Sequence, residues 1–300
     1  MVDRIGIIDL GSNTFHLLIV EIGSNQTFKT IHKERCFVGL AENGIEVLSQ
    51  KAIDKGLETL ATFKTILEDH KIENFKVAGT AALRSAKNKD VFINAAKDQL
   101  GLIIEVIDGE READLIFKGV SLLHKMNGNY IIMDIGGGSV EFIVVKNSLC
   151  IWSKSYDIGV GVLHNKYHTS DPISKVEISQ LIAFLYSTLE ELKSTVQNLN
   201  IDALIGASGS FEVVESINGN TISDSNLSEV SLDNYWNVSS RIIEASLEER
   251  SQMEGLPNSR IKLIVVAMIL IDVVIEMTNP NKIMISPYAL KEGLLSELFT

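Results

Sequence analysis

The sequence predicts an α/β protein built from two similar domains that face each other across a cleft. The chain has 300 residues, enough for two domains of ordinary size, and its 45% hydrophobic and 22% charged residues are typical of a soluble globular protein. Residues 7–20 and 132–145 share one pattern, in which Asp-apolar-Gly-x-x-(Ser/Thr) leads into an apolar run, at a constant offset of 125 residues. A further strand and then a helix follow each copy, so the order of elements repeats as well.

Each of these two segments is predicted to form a β-hairpin, because an apolar strand enters a tight glycine turn and a second apolar strand leaves it. Glycine lets the backbone approach a phosphate without a Cβ in the way, and clustered N–H groups and a Ser or Thr hydroxyl donate to its oxygens. The candidate phosphate ligands at the two tips are Ser12, Asn13, Thr14, Gly137, Gly138 and Ser139. Asp9 and Asp134, at the strand ends, can hold a cation. Either tip alone would also make an ordinary turn, but the matched pair favours phosphate binding between two facing halves.

After the first hairpin, the first half is predicted to alternate strands and helices. The helix over 49–70 has apolar residues at helical spacing, among them Ile53, Leu57 and Leu60, and Gly101 stops the helix that follows it. The elements expected in this half are a strand over 28–37, a helix over 49–70, a strand over 75–79, a helix over 88–100, a strand over 103–107 and a helix over 111–124. This alternation predicts a sheet with a largely parallel portion.

The turn at 126–129 is the expected boundary, so residues 1–126 form domain I and residues 127–300 form domain II, whose C-terminal helix could pack back on domain I. The elements expected after the second hairpin are a strand over 150–156, a helix over 174–199, a strand over 203–206, helices over 232–251 and 258–277, a strand over 282–286 and a helix from 288. Lys262, Asp272 and Glu276 interrupt the most apolar stretch, which predicts a buried helix rather than a membrane span.

Two segments between the hairpins carry candidate site residues. Arg84 follows a strand in a small-residue loop, where an arginine is usually a solvated surface charge but is also suited to a phosphate at the carboxyl edge of a sheet. The acidic segment 107–114 follows another strand and begins a helix. Its carboxylates either complement the helix dipole or include one that orients and deprotonates a water. The residue types alone leave both choices open.

Two features of the second half are weaker signals. Gly209 and Ser210 lie where a strand and a glycine-rich turn lead into a helix, an arrangement suited to an anion at the helix N-terminus. His164 and His168 stand four residues apart and could share a helix face as zinc ligands, but no third ligand accompanies them.

Charge and cysteine content limit the partners and the compartment. The net charge of -12 argues against a protein that coats nucleic acid. Only Cys36 and Cys150 are present, without metal-ligand spacing, and residues 1–4 enter a strand without the features of a signal peptide. We therefore expect a cytoplasmic protein with no nucleic-acid or membrane partner. The sequence leaves open whether it forms a homodimer.

Together the segments resemble the exopolyphosphatase and guanosine pentaphosphate phosphohydrolase family. The matching segments are 8–14, 79–84, 109–113, 133–141, 206–210 and 289–295, and they extend over nearly the whole chain. The resemblance implies two tandem ribonuclease H-like domains of the actin-like ATPase superfamily. It implies that Glu112 is the catalytic glutamate, that Arg84 contacts phosphate, and that Asp134 and Glu141 lie near a Mg²⁺ ion, with Asp9 as a further metal candidate.

The activity implied is release of a terminal phosphoryl group to water, from inorganic polyphosphate or from a guanosine polyphosphate. Two alternatives stay open at this point. A kinase-like enzyme of the same superfold would consume ATP and leave polyphosphate untouched, because the fold alone does not define the reaction. A non-catalytic sensor would bind an alarmone or polyphosphate tightly and release no phosphate.

Overall fold

The computed structural model describes residues 4–23, 27–42, 44–207, 209–219 and 226–298. In its first half the elements are, in order, strands β1 (Arg4–Leu10), β2 (Thr14–Ile22) and β3 (Phe28–Phe37), helix α1 (Gln50–Asp69), strand β4 (Asn74–Gly79), helices α2 (Ala81–Ser85) and α3 (Lys89–Leu100), strand β5 (Glu105–Val106) and helix α4 (Gly109–Ser121).

The second half begins with the second glycine-rich hairpin. Its elements are strands β6 (Asn129–Ile135), β7 (Val140–Lys146) and β8 (Leu149–Tyr156), helices α5 (Val160–Tyr167), α6 (Lys175–Thr188) and α7 (Glu190–Val196), strand β9 (Ala203–Gly206), helix α8 (Gly209–Ile217), strand β10 (Ser228–Val230), helices α9 (Leu232–Glu244), α10 (Leu247–Ser251) and α11 (Ile264–Thr278), strand β11 (Ile283–Ile285) and helix α12 (Leu290–Ser296).

The two halves form two sheets with equivalent strand orders. The first sheet has the order β3-β2-β1-β4-β5, and the second has the order β10-β11-β9-β6-β7-β8. In both, three antiparallel strands continue into parallel strands, through β1 and β4 in the first sheet and through β6 and β9 in the second. The predicted α/β class with two similar units is confirmed, whereas the boundary between residues 126 and 127 stays a prediction.

The cores follow from the alternation of side chains along the strands. In β1, Ile8 and Leu10 pack with α1 and α3 on the outer face of the first sheet, whereas Ile5 and Ile7 point to the opposite face. The side chains on that opposite face belong to an apolar cluster that also contains Ile132 of β6 and residues of α4 and α12. Both sheets therefore share one apolar layer, and helices α4 and α12 lie within it.

Helices α4 and α12 approach each other so closely that glycine is required at the crossing. A Cβ on Gly119 of α4 would collide with the carbonyl oxygen of Ala289, and a Cβ on Gly293 of α12 would collide with the carbonyl oxygen of Leu115. The C-terminal helix is thereby packed against a helix of the first half.

Several predicted elements were wrong in continuity or length. The single helix predicted over 174–199 is two helices that meet at Leu189, which is fully buried and has non-helical backbone angles (φ -96, ψ 16). The helix predicted over 232–251 also breaks, because Ser246 starts α10 with a capping box to Glu249. The first break thus coincides with a buried side chain and the second with a local cap. Apolar periodicity alone predicted a continuous helix in both places.

Other predicted boundaries also change. Residues 81–85, predicted as a loop around Arg84, form helix α2, and the strand predicted over 103–107 is only Glu105–Val106. Helix α11 begins at Ile264, after a run of turns, rather than at 258. Within the described ranges, α11 and the other helices are all too short or too polar to cross a membrane.

Candidate active site

The two hairpins present equivalent polar side chains to the inner face of each sheet. Asp9 pairs with His16 across β1 and β2, and Asp134 pairs with Glu141 across β6 and β7. Asp9 continues the face of Ile5 and Ile7, and Asp134 continues the face of Ile132, so both carboxyls emerge where the shared apolar layer ends. The strand alternation therefore aims these polar groups into the space between the sheets.

The two glycine-rich tips touch each other. A Cβ on Gly137 would lie 2.6 Å from Nδ2 of Asn13, and a Cβ on Gly138 would lie 2.9 Å from Oγ of Ser12. Beneath the second tip, the amide of Gly159 donates to the carbonyl of Gly138 at 3.0 Å, and a side chain on Gly159 would collide with the tip backbone. Side chains of the first tip thus lie against the glycine backbone of the second, where N–H groups and hydroxyls together are suited to phosphate oxygens.

The tips border a cleft of about 1000 Å³, counting the space open to solvent at its mouth. The predicted site residues that line it are Asp9, Ser12, Asn13, Thr14, Glu112, Asp134, Gly137, Gly138, Ser139, Glu141 and Gly209. Ser210 is buried and lines a smaller cavity that shares Asn13 and Thr14 with the cleft. Predicted site residues from four separate segments of the sequence are therefore brought to one place.

Glu112 lies in the first turn of α4, which Asp108 caps by accepting from the amide of Arg111 at 2.8 Å. Its side chain is 9% exposed and accepts a hydrogen bond of 2.8 Å from Nη1 of Arg84. Burial raises the pKa of the Glu112 carboxyl, and the neighbouring Arg84 guanidinium opposes that rise. Glu112 is thus a positioned carboxylate with a basicity above that of a free glutamate.

Arg84 does not line the cleft in this conformation. Its Nη1 also donates to the carbonyl oxygen of Ile107 at 3.1 Å, and its buried Nη2 has no hydrogen-bond partner among the described residues. The structure therefore shows Arg84 behind Glu112, orienting that carboxylate, with one unused donor.

Three further carboxyls lie around Glu112. Burial, reinforced by the charge of Glu112, raises the pKa of Asp9 to about 7 and holds the pKa values of Asp134 and Glu141 well above the usual range. Glu141 accepts a hydrogen bond of 2.7 Å from Oγ of Ser155. Oδ1 of Asp9 is buried without a hydrogen-bond partner in the described part of the chain. Because the charge of Glu112 acts on all three of these carboxyls, the arrangement favours a bound cation or a proton.

Basic residues also line the cleft, and sequence reasoning missed them. Arg35 of β3 forms an ion pair of 3.2 Å with Glu212, and Arg260 lies against Gly209. Burial and then Arg35 lower the pKa of Arg260 to about 10. Burial and the surrounding cations, with Lys291 the largest, hold the pKa of His16 well below its usual range, so that its imidazole is neutral.

Only some of these basic residues had a signal in the sequence. Lys291 lies in the family-like segment 289–295, where the sequence predicts a helix. Nothing in the pattern of β3 distinguishes Arg35 from other exposed strand residues. The two histidines considered as zinc ligands contact each other, with Nδ1 of His164 3.2 Å from Nδ1 of His168.

Three comparisons with known proteins agree. Residues 18–300 match the model of the Ppx/GppA phosphatase family. The crystal structure of an exopolyphosphatase from Cytophaga hutchinsonii superposes with a TM-score of 0.93 at 34% identity, covering 99% of this chain and 97% of that one. The Aquifex aeolicus PPX-GPPA enzyme has the same fold, with a TM-score of 0.83 at 24% identity and coverage of 99% and 100%.

A guanosine-5'-triphosphate,3'-diphosphate pyrophosphatase from Aeromonas salmonicida is 30% identical over 291 residues. The match covers 96% of this chain and 58% of that relative, so the chain spans little more than half the length of such relatives. The family model, by contrast, covers all but the first residues of the chain. The chain therefore belongs to the Ppx/GppA phosphatase family.

Proposed function

We propose that this protein is a phosphohydrolase that releases the terminal phosphate of inorganic polyphosphate, of guanosine pentaphosphate, or of both. The observation that carries the proposal is the position of Glu112, a buried carboxylate held by Arg84 beside two touching glycine-rich tips. A phosphate-binding surface and a base in one cleft are the two parts that hydrolysis of a phosphoanhydride requires.

In the proposed reaction, the backbone N–H groups and hydroxyls of the tips hold the terminal phosphoryl group, with Ser12 and Ser139 as donors. Glu112 accepts a proton from a water whose oxygen forms a bond to the terminal phosphorus. The bridging P–O bond breaks, and its electron pair leaves with the shortened chain. Arg84 keeps the Glu112 carboxylate oriented through the 2.8 Å hydrogen bond.

We further propose Mg²⁺ as the cofactor, with Asp9, Asp134 and Glu141 as its candidate ligands. Among the described residues, no three His, Cys, Asp or Glu side chains converge as a ready-made metal cage. Mg²⁺ is commonly held by only one or two carboxylates plus water and substrate phosphates, and the unpartnered Oδ1 of Asp9 fits that mode. When bound, the ion would neutralise phosphate oxygens near the reacting phosphorus.

The substrate assignment rests on what the relatives are called. One is an exopolyphosphatase and another a guanosine-5'-triphosphate,3'-diphosphate pyrophosphatase, and both names describe hydrolysis of phosphoanhydride bonds. We place the activity in the cytoplasm, where the unpaired thiols of Cys36 and Cys150 would remain reduced.

The test is phosphate release by the purified protein with Mg²⁺ from long-chain polyphosphate, short-chain polyphosphate, guanosine pentaphosphate and ATP. Loss of a general base costs about 10²- to 10⁴-fold in rate, so Glu112→Gln should lose activity on that scale. Glu110→Gln is the matched control, because Glu110 lies exposed in the same helical turn.

Release from polyphosphate or guanosine pentaphosphate that is lost only in Glu112→Gln supports the proposal and identifies the substrate. Release from ATP alone would instead favour the kinase-like alternative. Tight ligand binding without release from any of the four compounds would favour the sensor.

A further inference from the structure

Helix α12 places the positively charged side chain of Lys291 in the same cleft in which α4 places Glu112. The two helices are locked by backbone contact at Gly119 and Gly293, so residues on them keep a constant relative position. Lys291 is the second residue of α12, and its side chain lines the cleft together with Glu112 and Asp9.

The ammonium group of Lys291 has hydrogen-bonding capacity that its contacts with the described residues do not use up. Its side chain is 12% exposed, and its Nζ lies 3.1 Å from Oε1 and 3.2 Å from Oε2 of Glu292. Oε2 of Glu292 also accepts from the amide of Ala289 at 2.8 Å, which caps the helix. An ammonium has three donors, and within the described ranges the hydrogen bonds found for Lys291 go to Glu292 alone.

Lys291 remains charged although it is buried. Burial by itself lowers the pKa of a lysine, but the carboxylates of Glu292, Asp9 and Glu212 outweigh that effect and raise the pKa of Lys291. A charged donor in a partly dehydrated cleft interacts more strongly with a phosphate oxygen than a solvated one would.

We propose that Lys291 is a substrate-contacting residue that donates to a non-bridging oxygen of the terminal phosphoryl group. The α4–α12 pair would then hold the base and the phosphate-binding cation as one rigid unit. This inference rests on the proposed function, and it adds a phosphate ligand from the C-terminal helix to those on the hairpins.

The first measurement is binding of tripolyphosphate by calorimetry in EDTA, which needs neither catalysis nor metal. Loss of one charge-assisted contact corresponds to about 10- to 100-fold weaker binding, which is expected for Lys291→Met. Lys291→Arg should restore most of it. Lys118→Met is the matched control, because Lys118 lies on the same helix pair but binds Glu297 at 3.1 Å, away from the cleft.

Removing Lys291 leaves Glu292 buried without its cation, so the double variant Lys291→Met/Glu292→Gln repeats the measurement with the helix cap retained. Circular dichroism confirms folding of each variant. The second measurement is turnover, in which the Lys291 variants should lower kcat by about 10²- to 10³-fold, as removal of a charge-stabilising donor does.

Wild-type affinity for tripolyphosphate in the folded single or double variant overturns the inference, as does wild-type kcat. If the wild-type protein releases no phosphate from any substrate while its tripolyphosphate binding still depends on Lys291, the proposed function fails and the Lys291 contact stands. The two failures are therefore distinguishable.

Discussion

Asp9→Asn is expected to stabilise the metal-free protein at alkaline pH while removing a group that the proposed reaction needs. Asn has the shape of Asp but carries no charge, and Oδ1 of Asp9 has no hydrogen-bond partner among the described residues that the change would break. The substitution therefore isolates the free-energy cost of ionising this carboxyl within the cleft.

The magnitude follows from the pKa of Asp9, which is about 7 in the folded protein against an ordinary value of 3.8. Because the folded pKa is raised, the contribution of Asp9 to stability is fully present below pH 3.8 and is lost as the pH rises through 7. Above pH 7 the loss amounts to about 4 kcal/mol at most, since one pKa unit corresponds to about 1.4 kcal/mol. At pH 5 the same reasoning gives a loss of about 1.6 kcal/mol.

The assay is urea unfolding of both proteins in EDTA at pH 5 and pH 8. Asp9→Asn should exceed the wild type in unfolding free energy at both values, with a gain about 2 to 3 kcal/mol larger at pH 8. Added Mg²⁺ should narrow the difference by stabilising the wild type, because a ligand that binds only the folded state raises its stability. Asp98→Asn, an exposed carboxyl on α3, is the control and should show no such pH dependence.

A variant that is less stable than the wild type at pH 8, or a gain that is the same at both pH values, would refute the reasoning. Either result would mean that cleft water solvates the Asp9 carboxylate in the folded state as well as bulk water does.

Three further outcomes are expected. Gly159→Ala should lower phosphate release by about 100-fold or more, because its Cβ would collide with the backbone of Gly137 and displace the tip; unchanged kinetics would contradict the contact. Tyr235→Phe should lower the unfolding free energy by about 1 to 3 kcal/mol, because the Tyr235 hydroxyl donates to partly buried Asp272 at 2.6 Å; equal urea midpoints for the two proteins would contradict this loss. EDTA should abolish turnover and Mg²⁺ should restore it, and full activity in EDTA would remove the metal from the proposal.

The sequence was informative where the signal is local. A glycine turn between two apolar runs predicts a hairpin whatever else the chain does, and both hairpins are present at the expected positions, as are the strands Phe28–Phe37 and Ala203–Gly206. In the structure, alternation along β1 and β6 places Asp9 on the face of Ile5 and Ile7 and Asp134 on the face of Ile132. The roles assigned to these residues stay predictions.

Helix continuity was less predictable. Apolar periodicity extends through Leu189, yet the chain turns there, because that leucine packs into a core made by elements distant in sequence. The loop interpretation of residues 81–85 failed for a related reason, since small residues form a short helix when tertiary packing buries them.

By itself, the sequence determined the two hairpins, the repeated α/β order, the family, and the residue types able to hold phosphate and a cation. Only the tertiary structure decided that Arg84 supports Glu112 from behind, and that Arg35, Arg260 and Lys291 line the same cleft as the acids. These residues come from a strand, a turn and a helix far apart in the chain. The sequence around each one does not distinguish it from an ordinary surface charge. Their common location follows from the packing of α12 against α4 and of one sheet against the other, which is set by long-range burial rather than by any local pattern.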